Sequence, residues 1–373
     1  MEATTNTIII EENQNLWGTE RLPAGCPECE RVFLVFSEQI DEPCPLCRKG
    51  KLSPQPARIR PGKPEKWLPF QIQKDRLATI YQDFVSGVWI KPEDFTPEKL
   101  INRTVPLFWP LWLVDCGIEG HWQMEAGFDY QVESTKENYQ NGRWVSRKQI
   151  EDRTRWEPRL GKIATHLDNI PAPALEDHRN RIRMTGNYPL GQMQDVRLES
   201  LEMAMIECPD LPPDDAWPLA KPRIDEAAGR LCQKAAGAQH QKNFIIRANY
   251  TDKHWTQYLL PVYITYYLDD DGQPQVLIVN GQSGEINGPR LASRKRGLHI
   301  AGIIVVIAGA LFLLALIGLL LSMVLPPLGI LAVLLGGLGF GLGIAAIIPA
   351  VWPARWNSKQ QDGPRLTQKG GNA

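Results

Sequence analysis

Two Cys-Pro-x-Cys pairs, Cys26 with Cys29 and Cys44 with Cys47, bracket an apolar strand pattern in the stretch "CPECERVFLVFSEQIDEPCPLC". Four thiolates from two close pairs can surround one Zn²⁺ tetrahedrally, and the intervening chain is long enough for a hairpin that brings the pairs together. Two disulfides or a thioredoxin-like redox pair are the competing chemistries. A cytosolic setting disfavours the first, and duplication of the pair disfavours the second. If protein sulfur fills all four positions, no place is left for an activated water, so the expected zinc is structural, one per chain. It would supply on the order of 10 kcal/mol of folding energy to a small zinc ribbon over residues 20–50. Glu30 and Arg48 directly follow the two pairs, where zinc ribbons often place glycine.

No second constellation has reactive spacing. Cys116, Cys208 and Cys232 stand apart, and Cys232 falls beside the apolar face of a helical pattern, as a buried thiol would. The histidines, His121, His166, His178, His240, His254 and His299, form no His-Glu-x-x-His pair. "GQSGE" lacks the last glycine of a nucleophile elbow, and the sequence has no phosphate-binding Gly-x4-Gly-Lys-Ser/Thr loop. Gly341, Gly343 and Ala346 match a dinucleotide-binding fingerprint in form only, because no strand–turn–helix surrounds them. The expectation is therefore no catalytic residue, no cofactor besides zinc, and no enzymatic activity.

The elements around this motif divide sharply by charge. The formal net charge of -1 argues against a globally basic nucleic-acid binder. All 41 Lys and Arg and all 42 Asp and Glu lie outside the block from Gly297 to Ala354. That block breaks at Pro326-Pro327 into two runs longer than the roughly 20 apolar residues that cross a bilayer, so it reads as a transmembrane hairpin over residues 299–325 and 328–352. Arg290, Arg294, Lys295 and Arg296 precede it, and Arg355, Lys359, Arg365 and Lys369 follow, while the turn carries no charge. Positive-inside bias puts both flanks, including a tail over 353–373, in the cytoplasm of an inner-membrane protein. The N-terminal stretch has no basic n-region, so the large domain is expected to stay in the cytosol. In the second run, Gly337 with Gly341 and Gly339 with Gly343 place small residues one turn apart. This suits close approach to Gly302, Gly309 and Gly318 of the first run, or to a second copy of the chain.

Between the ribbon and the hairpin the signals are those of an α+β domain over 67–290 with antiparallel hairpins. Residues 1–19 read as disordered, and 51–66 as a basic, proline-rich linker. Ile72, Leu77, Ile80, Tyr81, Phe84 and Val85 recur at helical spacing, predicting a helix over Lys74 to Val88. "TVPLFWPLWLVD" and "GHWQMEAGFDYQV" predict a hairpin, "RTRWEPRLGKIATHL" a further strand, and Asp195 to Glu207 a short helix. A helix is expected from Lys221, with Ile224, Ala227, Ala228, Leu231 and Ala235 on one face. Three strands follow, "NFIIRANY", "TQYLLPVYITYYL" and "PQVLIVN". "LFWPLWLV" and "YLLPVYIT" echo each other around Pro110 and Pro261, which fits either a duplicated helix-plus-hairpin unit or chance.

In this order the four cysteines, "WLPFQI", "VPLFWPLWLVD", Arg155-Trp156, "LLPVYITYY", "VNGQSGEINGP" and the terminal hairpin resemble a bacterial family of zinc-ribbon membrane proteins. Some members of that family are labelled helicase-like primosomal proteins, a label the missing ATP-binding loop does not support. Others are encoded near phage-shock-type envelope-stress proteins, which implies an adaptor at the inner membrane. The favoured expectation is a non-enzymatic, membrane-anchored scaffold that recruits a cytosolic protein partner. The alternative is a membrane-tethered nucleic-acid binder using the ribbon and the basic stretch Arg48 to Lys66.

Overall fold

A computed structural model describes residues 21–57, 59, 63–140, 143–197, 201 and 204–360. The expected disordered segment 1–19 and residues 361–373 of the expected tail lie outside them. The chain divides into two units, Met1–Pro110 with Asp177–Cys208 and Leu259–Ala373, and Leu111–Glu176 with Pro209–Tyr258.

In the first unit, β1 (Leu22–Gly25) and β2 (Val32–Val35) form a short antiparallel hairpin, and β3 (Ser53–Pro54) pairs with β1. β2 also pairs with β8 (Met205–Glu207), which runs parallel to the start of β5 (Val105–Gln140) at Leu107 and Phe108. The cysteine-bearing segment thus belongs to a larger sheet, and Val32, Leu34, Phe108, Ile206 and Leu259 share one core. Within residues 51–66, expected as a linker, lie β3 and the first residue of β4 (Lys66–Trp67). β4 pairs with β7 (Gln194–Asp195). β7 and β8 lie at the two ends of the stretch for which a short helix was expected, with Met205 and Ile206 buried as sheet residues, while 198–200 and 202–203 between them lie outside the described residues.

A second core layer of this unit has α1 (Lys74–Ser86) and α2 (Pro97–Asn102) over the C-terminal part of β9 (His240–Leu268) and over β10 (Pro274–Asn280). Leu77, Tyr81, Phe84 and Val85, the helical stripe read from the sequence, meet Phe95, Leu100, Tyr267, Leu277 and Val279 there. β10 returns antiparallel along β9 across the expected Asp-rich turn, and β11 (Ile286–Asn287) closes that edge.

In the second unit β5 continues as one strand, paired antiparallel with β6 (Arg143–Pro173) from Leu111↔Pro173 out to Gln140↔Arg143. The sequence suggested a turn where Gly117 and Gly120 fall, but these glycines serve close approach. A Cβ on Gly120 would sit 2.2 Å from the Arg247 carbonyl oxygen, and one on Gly117 2.7 Å from Thr251 Oγ1. β9 is likewise one strand where two were expected. It passes Asn243 and Asp252 with left-handed φ of 53° and 49°, local irregularities of the kind bulges impose. α4 (Pro213–Ala235) starts earlier than expected and runs through Pro218 and Pro222. Its Ala216, Ala220, Ile224, Ala228 and Cys232 bury Trp112, Val114, Cys116, Ile118, Ile163 and Leu167. The order helix, strand, antiparallel strand recurs as α2–β5–β6 and α4–β9–β10, with Pro110 and Pro261 in the corresponding strands.

The uncharged block forms α5 (Arg294–Leu321), α6 (Pro327–Ala345) and α7 (Ile347–Gln360), with α6 and α7 continuous enough to act as one span. Both spans are long and apolar enough to cross a membrane, with mean hydropathy 3.1 and 2.4. Ser293 caps α5 by accepting the Arg296 N–H at 3.0 Å, and Pro327 opens α6 at a position where its missing N–H costs nothing. The buried residues recur every seventh position, Ala301, Ala308 and Ala315 on α5 and Ala332, Gly339 and Ala346 on the returning span. This is the spacing of two helices packed closely through small side chains. At the opposite end from the turn, Asn357 exchanges hydrogen bonds with the Ala292 backbone at 2.7 and 3.0 Å, and Trp352 and Trp356 pack on the α1–α2 core.

Candidate metal centre

Each cysteine pair sits in a tight turn with the same wiring. The Cys26 carbonyl accepts the Glu30 N–H at 2.9 Å, and the Cys44 carbonyl accepts the Arg48 N–H at 3.0 Å. The amides of Cys26 and Cys44 in turn donate to the carbonyls of Arg31 at 2.9 Å and Gly50 at 2.8 Å. Pro27 and Pro45 preset φ for such a turn. The chain leaves both turns in the left-handed region, at φ 56° for Glu30 and 57° for Arg48, the two positions where the sequence departs from glycine. β1 and β2 carry the first turn, and the Pro43–Lys51 bridge closes the second.

The result gathers Cys26, Cys29, Cys44 and Cys47, whose sulfurs all lie within 4.8 Å of one another. Cys26 Sγ is 3.5 Å from Cys47 Sγ, and Cys29 Sγ is 3.7 Å from Cys44 Sγ. Both separations far exceed the disulfide bond length of about 2.05 Å, so the four sulfurs form a cluster at metal-binding distance. Gly50 closes one side, since a Cβ there would lie 2.7 Å from Cys26 Sγ. Mutual hydrogen bonding splits the four thiols, lowering two and raising two. Hydrogen bonding with Cys44 above all, opposed by burial and helped by the amides of Cys29 and Glu28, brings the Cys26 thiol down to about 6. Hydrogen bonds with Cys29 and Cys44 hold Cys47 well below the ordinary thiol range, while Cys26 first and Cys29 next push Cys44 far up. On Cys29, hydrogen bonding with Cys44 acts downward, but Cys47 and burial outweigh it and push the thiol up to about 12. Cys26 and Cys47 are thus the two sulfurs favoured as thiolate, the form a metal takes.

Behind the first turn lies a group of side chains that the sequence did not reveal. Arg31, whose carbonyl anchors Cys26, reaches Asp177 Oδ2 at 2.6 Å and Glu207 Oε1 at 3.0 Å. Arg181, on α3 (His178–Thr185), binds Asp177 through Nε at 2.7 Å and Glu207 through both terminal nitrogens at 2.5 and 2.8 Å. Arg31, Arg181 and Glu207 are buried and Asp177 is half-buried, and the Arg181 guanidinium lies 4.6 Å from the centre of the Trp109 ring. Two cations against two anions with matched hydrogen bonds is the arrangement that makes buried charge tolerable. Arg21, 1% exposed, adds donors to the carbonyls of Ala204 and Leu201 at 2.6 and 2.8 Å. Nothing local in the sequence marks Arg31, because its partners lie more than 140 residues away.

The remaining candidates do not join the cluster. Cys116, Cys208 and Cys232 are each buried separately, and burial pushes their thiols up. His240 contacts Asp129 at 2.8 Å and His166 contacts Asp168 at 3.3 Å, both at exposed positions. Of the four glycines singled out in the second span, Gly339 packs 3.1 Å from the Ala308 carbonyl when a Cβ is built on it. Gly337, Gly341 and Gly343 have open space instead, as do Gly302 and Gly309 on α5.

Comparison with family models, with curated proteins and with solved structures returned no match. The resemblance to zinc-ribbon membrane proteins rests on the four-cysteine cluster and the two apolar spans.

Proposed function

We propose that this chain is a non-enzymatic scaffold that two helices anchor in the bacterial inner membrane, both flanks in the cytoplasm, where it recruits a cytosolic protein partner. The family resemblance suggests envelope stress as its setting. Zn²⁺ fits the cluster best, because four thiolates at a Zn–S distance of about 2.3 Å define a tetrahedron with edges of about 3.8 Å. The observed separations of 3.5 and 3.7 Å need only slight expansion. With no ligand position open, the metal braces the fold and the β2–β8 junction.

The observation that carries the scaffold reading is the outer part of the β5–β6 hairpin. β9 begins at His240, whose ring meets Asp129, so from Tyr130 outward the hairpin is two-stranded for about 35 Å at roughly 3.3 Å per residue. Register sorts its charges by face. Arg153, Arg147 and Lys136 share one face with a single acid, Glu151, while Asp152, Glu133 and Glu137 share the other with a single base, Lys148. Lys136 stands directly opposite Arg147, a like-charge cross-strand pair that costs stability in isolation and that an anionic partner surface would relieve. Such an arm is suited to docking. Of the basic residues in the nucleic-acid alternative, Arg48 lies over the Tyr266 ring at 4.1 Å and Lys66 pairs with Asp195 at 2.7 Å, while Arg58 and Arg60 lie outside the described residues.

The test is to replace 130–153 by a two-residue turn in the full chain and compare membrane proteomes. The shortened chain should remain zinc-loaded and inserted while one cytosolic protein leaves the membrane fraction. An unchanged membrane proteome would sink the scaffold reading.

A further inference from the structure

Where α5 leaves the α1–α2 layer, a groove of about 350 Å³ opens between the loop after α1 and the first two turns of α5. Trp89, Ile90, Lys91, Arg296, His299 and Ile300 form its walls. Two hydrogen bonds fix the loop to the helix, from the Ser293 N–H to the Ile90 carbonyl at 2.8 Å and from Arg296 Nη1 to the Lys91 carbonyl at 3.1 Å. The groove therefore holds Lys91, Arg296 and His299 side by side with no carboxylate in its walls. The neighbouring cation Lys295 is engaged elsewhere, by Asp270 and Asp271.

The apolar half of the groove is as distinctive as the charged half. Trp89 is 61% exposed, yet its ring meets Trp352 edge-on at 5.5 Å, and Trp352 stacks on Trp356 at 5.1 Å. Counting back from Leu321, the roughly 20 residues that cross a hydrocarbon core of about 30 Å end near Gly302. Arg296 and His299 then lie at headgroup depth, level with a tryptophan cluster of the kind found at bilayer interfaces. A ligand filling this groove needs a negative head for the three basic groups and an apolar continuation along Ile300 and Trp89.

We propose that the groove binds the headgroup of an anionic phospholipid, with the phosphate held by Lys91, Arg296 and His299 and the first acyl carbons lying along Ile300 and Trp89. The proposal rests on the membrane reading of α5 and α6–α7. A free phosphate ion offers the same anionic chemistry without the apolar continuation, so the experiment must separate the two sources.

The full chain is reconstituted into nanodiscs of phosphatidylcholine doped with phosphatidylglycerol, and the lipid retained after detergent extraction is counted by native mass spectrometry. The wild type should keep one phosphatidylglycerol in preference to phosphatidylcholine. At roughly fivefold per basic residue, Lys91→Gln should cut that preference about fivefold and Lys91→Gln with Arg296→Gln about 30-fold. Lys91→Gln is the decisive variant, because the Lys91 carbonyl, not its side chain, makes the bond that holds the loop. Equal retention by wild type and Lys91→Gln, or no preference for phosphatidylglycerol, overturns the proposal. So does inorganic phosphate binding to the delipidated chain that Lys91→Gln abolishes and added phosphatidylglycerol fails to displace. Alkaline carbonate washing of native membranes separates the two levels. A chain released by the wash refutes the membrane reading itself, whereas a chain that stays inserted but shows no lipid preference refutes the groove alone.

Discussion

Replacing Glu207 by Gln keeps the side-chain shape and removes one negative charge from the buried group beside the four-cysteine cluster. Glu207 is 1% exposed and accepts from Arg31 and from both terminal nitrogens of Arg181, so the change leaves two buried guanidiniums facing Asp177 alone. Breaking a buried pair in this way costs about 3–5 kcal/mol. For a domain of this size that is about 6–20 °C in unfolding midpoint, at roughly 2–4 °C per kcal/mol. Tryptophan fluorescence of the detergent-solubilised, zinc-loaded chain reads it, since Trp109 lies against Arg181. Release of zinc to a colorimetric chelator should accelerate as well, because the Arg31 carbonyl holds the Cys26 amide. Pairing Glu207→Leu with Arg181→Met removes both charges and should recover at least half of the loss, as replacing buried pairs by apolar residues commonly does. A cost for Glu207→Gln below about 1 kcal/mol, close to that of a surface change, or a double variant no better than the worse single, would refute energetic coupling in this group. The same group sets an acid limit. Burial alone would raise the Asp177 carboxyl, but the charges of Arg181 and Arg31 outweigh it and hold the carboxyl below its ordinary range. Its contribution is complete above the ordinary carboxylate value of about 3.9. As pH falls below that value the unfolded chain takes up the proton first, so the midpoint should drop from there downward, and less steeply in Asp177→Asn.

Three further outcomes are expected. Elemental analysis should find one zinc per chain, and Cys44→Ser should lose it together with the β1–β2 hairpin, with a folded, metal-free segment as the contrary result. Gly120→Ala should destabilise the second unit by more than about 2 kcal/mol, in the range for overpacking a close-packed site, because its Cβ would lie 2.2 Å from the Arg247 oxygen. A neutral effect in urea unfolding would mean that β5 and β9 do not approach there. Gly339→Leu should unseat the helix hairpin, measured as faster proteolysis at the 322–326 turn, whereas Gly341→Leu should leave it intact because nothing lies within 4 Å of its added Cβ. If Gly341→Leu instead changes the crosslinked size in membranes, that face contacts a second copy.

The sequence by itself determined the features that rest on local pattern. The two Cys-Pro-x-Cys pairs carry their own turn chemistry, so their clustering follows from short-range geometry once a hairpin forms between them. A run without charge from Gly297 to Ala354, broken by Pro326-Pro327, has few ways to fold other than two apolar helices, and the stripe from Leu77 to Val85 has few other than an amphipathic one. What local pattern could not convey depends on partners distant in the chain. Gly117 and Gly120 signal a turn until β9 is known to press against them. Nothing near Arg31 in the sequence names its partners, which come from α3 (Arg181), its N-cap (Asp177) and β8 (Glu207). The cysteine segment looks self-contained until β2 finds β8. Nothing in the apolar runs signals where they meet the rest of the chain, yet Trp352, Trp356 and Asn357 return to Arg290, Ala292 and the α1–α2 core. In each case the energy lies in desolvated contacts between residues tens to hundreds of positions apart, and only the tertiary fold decides which of them meet.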